Sequence, residues 1–170
     1  MKSLRLALSF LLLLTASATL AQTASQKSFD QLKSLTGSWE GKNSEGKPIR
    51  VTFRDTAGGS ALMSEIEGQD HEDMISMFHL DGPNRLMITH YCGVGNQPRM
   101  TASSSPDGKA ITFDFLDATN LATPDAGHMQ RVVFTVIDAN HHTEDWTFAA
   151  APGKELKQFF DLHRNEIAQK

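Results

Sequence analysis

The sequence is poor in cysteine and lacks the common catalytic motifs. Its 170 residues include one cysteine, Cys92, so no disulfide can form within the chain. Stability must come from a packed core, and a chain of this length can bury one. The apolar run Leu6–Leu14 is shorter than the about 20 residues that a membrane-spanning helix needs. There is also no nucleophile elbow, phosphate-binding loop or dinucleotide fingerprint, which excludes the enzyme classes that these motifs define.

The N-terminus has the three parts of a secretory signal. Lys2 and Arg5 form a basic start, Leu6–Leu14 an apolar middle, and Ala16–Ala21 a cleavage region of small residues. We therefore expect residues 1–21 to be a signal peptide. No cysteine lies directly after the cleavage region, which argues against a lipid anchor. The expected location is outside the cytoplasm, either periplasmic or secreted.

The rest of the chain is acidic and has no internal break. Without Lys2 and Arg5, 14 basic residues face 20 acidic ones, so the formal charge becomes −6 instead of −4. This charge argues against nucleic acid or an anionic membrane as a partner. We expect residues 22–27 to be a disordered polar leader and residues 28–170 to form one domain, without insertion into a membrane.

Most of the domain consists of short segments of alternating polarity. Ser28 is the predicted cap of a short helix over Phe29–Leu35. Turn residues separate the strands, and there is no alternation of strands with helices. The predicted strands are Ser38–Lys42, Ile49–Arg54, Ala61–Glu67, Met74–Leu80, Arg85–Cys92, Pro98–Ser104, Lys109–Leu116, His128–Asp138, His142–Ala149 and Glu155–Arg164. Successive hairpins can close on themselves. The sequence therefore predicts an all-β protein, a single antiparallel meander β-barrel of about ten strands with a short N-terminal helix.

The fourth and fifth predicted strands form the most informative hairpin. If the turn pairs Leu80 with Arg85, then His79, His90 and Cys92 share one face among aliphatic side chains. Polar groups on an apolar sheet face cost free energy unless something hydrogen-bonds or ligates them. This face is therefore where we expect a site.

Three roles remain open for this histidine-rich face. Imidazole and thiolate are ligands for zinc, copper or haem iron, and the candidate set is His79, His90, Cys92 and His128. No metal-binding spacing of known type supports that set. Alternatively, His90 is a core histidine bonded to a neighbour, or a general base in an enzyme without a cofactor.

A polar loop directly after the histidine strand offers ligand-binding groups. Asn96 can orient a carbonyl or hydroxyl, and Arg99 can hold a carboxylate. With His90, His128 and Met77 they form the candidate ligand-binding set.

A second polar face occurs on the ninth predicted strand. His142, Glu144 and Trp146 alternate along it, so a histidine lies beside a carboxylate. Alternation makes this face either the pocket side or the solvent side, and we expect an exposed, charged side of the strand.

Two sets of residues resemble known families. The segment Leu35–Glu40, with Trp39 after a short helix, resembles the calycin group of lipocalin-like barrels, and Arg164 near the end of the last strand completes the match. The resemblance implies that Trp39 closes the barrel base and that Arg164 packs across its ring. A bacterial family of exported lipocalin-like proteins of unknown function resembles the chain at Thr89–Cys92, Gly95–Met100 and His128–Met129.

The preferred function is the binding of a small, partly apolar molecule inside the barrel. A metal- or haem-binding barrel, an enzyme that uses His90 as general base, and a purely structural module are the alternatives. No cofactor is preferred, although zinc and haem remain alternatives. Barrels of this kind host several functions, so the resemblance implies a fold more than an activity.

Overall fold

The computed structural model describes residues 22–68 and 73–165, so the predicted signal peptide lies outside the described residues. No helix within these two ranges is long and apolar enough to cross a membrane. The elements in chain order are α1 (Ala24–Lys33), β1 (Gly37–Asn43), β2 (Pro48–Thr56), β3 (Ala61–Glu67), β4 (Met74–Leu80), β5 (Leu86–Tyr91), β6 (Gln97–Ser104), β7 (Ala110–Thr119), β8 (His128–Asp138), β9 (His141–Ala151) and β10 (Lys154–Arg164).

The ten strands form one closed antiparallel barrel. Each strand pairs with its neighbours in sequence, and β10 pairs with β1 to close the sheet. Closure leaves no free strand edge for pairing with another chain. The prediction of an all-β meander barrel with a short N-terminal helix is confirmed, and β3, β4 and β8 have the predicted bounds.

Helix α1 begins earlier than the sequence predicted. The Thr23 hydroxyl accepts a hydrogen bond from the backbone N–H of Gln26 at 3.2 Å, so Thr23 is the N-cap. Ser28, the predicted cap, is buried inside the helix. The predicted disordered leader over 22–27 is therefore helical from Ala24 onward. The first turn carries no large apolar residue, so hydrophobic periodicity could not reveal it.

The register of the central hairpin differs by one residue from the prediction. Leu80 lies opposite Leu86 instead of Arg85. The backbone N–H of Asp81 donates to the carbonyl of Arg85 at 2.8 Å, so the turn takes up one residue more than expected. In a β-sheet a slip of one residue moves side chains to the other face relative to the partner strand.

This slip separates the two histidines of the hairpin. Ser76 lies opposite His90, and both side chains point into the barrel. His79 lies opposite Met87, one residue out of phase with the inward Phe78. Because neighbouring residues on a strand face opposite sides, His79 is on the outer face.

Aromatic side chains fill the middle of the barrel. The Phe134 ring is edge-on to Phe53, Phe78 and Phe113, with centroid distances of 5.5–6.4 Å. All four rings are buried. Edge-to-face packing is a favourable arrangement for such rings, and each ring buries a large apolar area. The barrel is therefore packed at its centre, and any binding space must lie at an end.

Helix α1 and a stacked arginine close one end of the barrel. The buried Trp39 donates its indole N–H to the Leu35 carbonyl at 2.6 Å, and the Arg164 guanidinium lies 4.3 Å from the Trp39 ring centroid. Arg164 also donates to the carbonyls of Ser34 and Thr36 at 2.9 and 2.8 Å, just beyond the C-terminus of α1. The guanidinium satisfies these two backbone carbonyls at the end of the helix and stabilises the aromatic stack. This is the contact that the calycin resemblance implies.

Candidate functional site

The candidate site is a pocket at the barrel end away from α1. Strand β10 runs from this end toward Arg164 at the closed base, so its first residues mark the open end. The pocket has a volume of about 290 Å³. Its lining residues are Met74, Cys92, Gly93, Val94, Met129, Trp146, Phe148, Leu156 and Gln158. Thioether, aromatic and aliphatic groups dominate the wall, as in sites for partly apolar molecules.

A second recess of about 270 Å³ adjoins the first and shares Met74 and Gln158 with it. Its far wall is more polar and includes Glu45 and Lys47. Lys47 holds the pKa of the Glu45 carboxyl below its usual range, with a smaller contribution from a hydrogen bond with Gln158. The open end thus joins an apolar pocket to a polar rim through the Gln158 side chain.

Gln158 provides the polar group that both recesses share. Its Oε1 atom is buried and has no hydrogen-bond partner within residues 22–68 and 73–165. A buried carbonyl oxygen without a partner costs roughly 1–3 kcal/mol relative to one that is hydrogen-bonded. A donor group on a bound molecule would remove that cost.

Trp146 forms the floor of the apolar pocket. Its indole N–H donates to Glu144 Oε2 at 2.8 Å, and His142 Nε2 donates to Glu144 Oε1 at 3.2 Å. The His142 ring rests edge-on against Trp39, with centroids 4.3 Å apart. A buried carboxylate requires such donors, because an unpaired charge in the interior is costly. These side chains form a polar column from the pocket floor to the barrel base.

The expectation that this face of β9 is exposed is wrong. Glu144 and His142 are fully buried, and Trp146 is 3% exposed. The sequence contained a signal for the inward direction: the strand's other face, which includes Thr143 and Asp145, carries no large apolar side chain. The face that carries the large aromatic side chains is the one that turns inward.

His90 is buried behind the pocket floor. Its Nδ1 lies 2.9 Å from the Ser76 hydroxyl, and its Nε2 has no hydrogen-bond partner in the described part of the chain. The ring lies 5.0 Å from that of Trp146 and is not part of the pocket wall. Burial lowers the pKa of His90 to about 4, because the charged imidazolium loses its hydration. His90 is therefore neutral near pH 7.

Asn96 and Arg99 are engaged with other parts of the protein. Asn96 is buried, and its amide donates to the Gly127 carbonyl at 2.7 Å, which ties the loop after β5 to the segment before β8. Arg99 lies on the exposed face of β6 and forms a two-pronged ion pair with Asp117, at 2.6 and 2.5 Å. Neither side chain lines the apolar pocket.

His128 and Met77 also lie outside the pocket wall. The His128 Nδ1–H donates to the Ala126 carbonyl at 2.8 Å, and its ring packs 4.4 Å from Phe115. Met77 lies between two inward residues of β4 and opposite Thr89, so it is on the outer face. None of the five predicted ligand-binding residues lines the pocket: His90 lies behind its floor, and Asn96 adjoins Cys92 of the wall through a backbone hydrogen bond of 3.1 Å.

The predicted metal-ligand set does not assemble. His79 is on the outer face, and His90 is inside the barrel. Cys92 lies in the pocket wall, and burial raises the pKa of its thiol, which disfavours the thiolate that binds metals. Within the described residues, the one group of at least three metal-binding side chains with converging atoms contains none of the predicted four.

Gln158 was not among the predicted site residues. Gln158 lies between Leu156 and Phe160 at the two-residue spacing of one strand face. A lone amide on an otherwise apolar face indicates an inward polar group.

Comparison with known proteins identifies the fold only. No family model and no curated protein sequence matches the chain. Among solved structures, the chain is similar to the crystal structure of Rv2717c from M. tuberculosis, with 15% sequence identity and a TM-score of 0.58. The similarity covers 82% of this chain and 98% of that one. The chain thus has a closed ten-strand antiparallel β-barrel that at a coarse level fits the calycin type.

Proposed function

We propose that this protein is an exported, lipocalin-like barrel that binds a small, partly apolar molecule at its open end. The observation that carries the proposal is the buried Gln158 Oε1, which has no partner among the described residues although it lies in an otherwise apolar pocket. The wall offers large apolar side chains, including Phe148 and Leu156, for contact area.

The pocket also indicates the chemistry of the molecule. An N–H or O–H donor is needed to meet Gln158 Oε1, and an apolar body is needed to cover Trp146 and the methionines. At the rim, Glu45 is paired with Lys47 at 2.7 Å, so the two side chains together carry no net charge on that side. We therefore propose a neutral compound with an aromatic or aliphatic body and one donor group.

Two features support the lipocalin-like type and the export. The Trp39–Arg164 stack at the closed base is the contact expected from the resemblance. The order of basic, apolar and small residues over 1–21 is typical of a secretory signal. Terminal sequencing of the protein recovered from the periplasm or the medium tests the export. We expect the chain to begin at Gln22, and an intact N-terminus in the cytoplasm would contradict it.

His90 is the observation that favours a haem or metal alternative. The buried Nε2 of the neutral imidazole has a lone pair that could ligate a metal, and haem iron needs only one axial histidine nitrogen from the protein. However, the His90 ring is fully buried against Trp146 and outside the pocket wall, so a group in the pocket does not reach Nε2. His90 therefore does not fit as a ligand to a metal or haem cofactor bound in this pocket.

The same placement counts against His90 as a general base. A base with a pKa of about 4 accepts protons weakly near pH 7, and a substrate in the pocket has no contact with it. Binding is the function that the geometry supports best.

A fluorescent probe of the chemistry described above tests the proposal. N-phenyl-naphthylamine has two apolar aromatic groups and one N–H donor, and its emission rises in apolar sites. We expect saturable binding by the unmodified protein and binding about tenfold weaker in Gln158→Leu, because the amide acceptor is lost. Gln130→Leu is the matched control, since Gln130 lies outside this pocket. The absence of binding, or equal weakening in both variants, would contradict the proposal.

A further inference from the structure

Three metal-binding side chains meet on the outer face of the barrel near its closed end. His141 opens β9, and Asp161 and His163 lie two residues apart near the end of β10. His141 is directly opposite His163 in the sheet. The neighbours His142 and Leu162 are fully buried, so alternation places these three side chains outside.

The cluster is compact. His141 Nε2 donates to Asp161 Oδ1 at 2.6 Å, and His163 Nε2 lies 3.8 Å from the same oxygen. The two imidazoles stack with centroids 4.2 Å apart and an angle of 22° between their planes. One candidate ligand atom from each residue lies within 4.8 Å of the others.

These distances suit a small transition-metal ion. Bonds of about 2.0–2.1 Å in a tetrahedral site place ligand atoms about 3.3 Å apart. The His141–Asp161 pair at 2.6 Å must therefore open by about 0.7 Å, and no other pair must close by more than about 1.5 Å. Side-chain rotation provides such shifts because all three side chains are at least partly exposed. The rigid pairing of β9 with β10 fixes the backbone of every ligand.

His163 is the feature that a simple surface ion pair does not explain. At 3.8 Å its nitrogen is too far from Asp161 for a hydrogen bond, yet its ring stays parallel to that of His141. The two stacked imidazoles converge on one carboxylate oxygen, so two nitrogen atoms and one oxygen atom are available to a shared cation.

We propose that His141, Asp161 and His163 form a surface site for a divalent transition-metal ion of the zinc or copper type. Two nitrogen ligands and one oxygen ligand favour these ions over calcium or magnesium, which prefer oxygen alone. Three protein ligands leave a coordination position open to water or an outside ligand.

The surrounding charges set the expected strength of binding. On β1, Glu40 lies opposite His163 and Lys42 opposite Asp161. Glu40 forms an ion pair with Arg50 at 2.9 Å, so its charge adds little to the affinity of the site for a cation. The Lys42 ammonium competes with a metal for Asp161. The site is therefore weaker than a buried structural zinc site, and replacement of Lys42 by Gln strengthens it.

Zinc titration of the untagged, metal-free protein by calorimetry tests the site. We expect saturable binding whose affinity becomes at least about tenfold weaker in His163→Asn. Loss of a residue that only hydrogen-bonds to a metal ligand already lowers metal affinity by about that factor. His128→Asn is the control, because it removes a histidine elsewhere, and Lys42→Gln should tighten binding. His163 is 63% exposed, so its replacement should leave the fold intact, which a thermal melt checks.

Two results would overturn this inference. One is the absence of zinc and copper binding by the unmodified protein. The other is equal affinity in the His163→Asn and His128→Asn variants, which would place any bound ion elsewhere. Neither result bears on the pocket at the open end, so the two proposals are tested separately.

Discussion

Acid should destabilise the barrel through His90. Its pKa in the folded protein is lowered by burial to about 4, from an ordinary value of 6.5. Between these pH values the unfolded chain binds a proton that the folded protein does not accept. The free energy of unfolding therefore has its full value above pH 6.5 and falls as the pH drops toward 4. The difference of about 2.5 pKa units corresponds to roughly 3 kcal/mol, because each unit is worth about 1.4 kcal/mol.

The His90→Gln variant isolates this contribution. Glutamine keeps a polar side chain opposite Ser76 but does not titrate. Other groups contribute equally to the acid sensitivity of both proteins, so the difference between the proteins reports His90. We expect the stability of the unmodified protein relative to His90→Gln to fall by roughly 3 kcal/mol between pH 7 and pH 4.

Urea unfolding followed by tryptophan fluorescence at several pH values measures this difference. The curve of stability against pH should be steeper for the unmodified protein below pH 6.5 and parallel to that of the variant above it. Parallel curves over the whole range would refute the reasoning. They would mean that His90 is hydrated in solution and titrates normally.

Three further predictions concern stability and are checked by urea unfolding. Gly41→Ala should lower the free energy of unfolding by about 3 kcal/mol or more, because its added Cβ would lie 1.8 Å from the Asp161 carbonyl oxygen. Gly93→Ala is the control, since Gly93 has open space around it, and it should change stability by less than about 0.5 kcal/mol. Equal effects of the two substitutions would contradict the close pairing of β1 with β10. Glu144→Leu should cost about 2–5 kcal/mol, since it leaves two buried donors unpaired, and a neutral effect would show that the carboxylate is solvated. Arg164→Met should cost about 2 kcal/mol through the lost aromatic stack and carbonyl contacts, and unchanged stability would show that the base is closed by other groups.

The fold was predictable because its determinants are local. Alternating polarity and turn residues mark each strand within a few positions, and a run of hairpin-length links permits closure without long-range information. Trp39 and Arg164 lie far apart in the sequence, but their meeting followed from the resemblance. The helix start at Ala24 was missed because a polar first turn has no periodic pattern.

The site was only partly predictable because it depends on register and on which face points inward. One extra residue in the turn before Leu86 placed His79 and His90 on opposite sides of the sheet. Arg99 was predicted to hold the carboxylate of a ligand. A bulge in the β6–β7 pairing places Asp117 opposite it, so Arg99 binds a carboxylate of the protein itself. His142 and Glu144 are polar residues whose inward direction is set by the aromatic residues of the same face, and their mutual pairing is what makes burial tolerable.

Native mass spectrometry of the protein exported to a periplasm, purified without a metal column, tests the central claim most directly. The account predicts that an organic molecule is retained at one copy per protein. The occupied fraction should be lower in Gln158→Leu and unchanged in Gln130→Leu. A haem mass or a stoichiometric ion that disappears in His90→Ala, and persists in Gln158→Leu and His163→Asn, would contradict it.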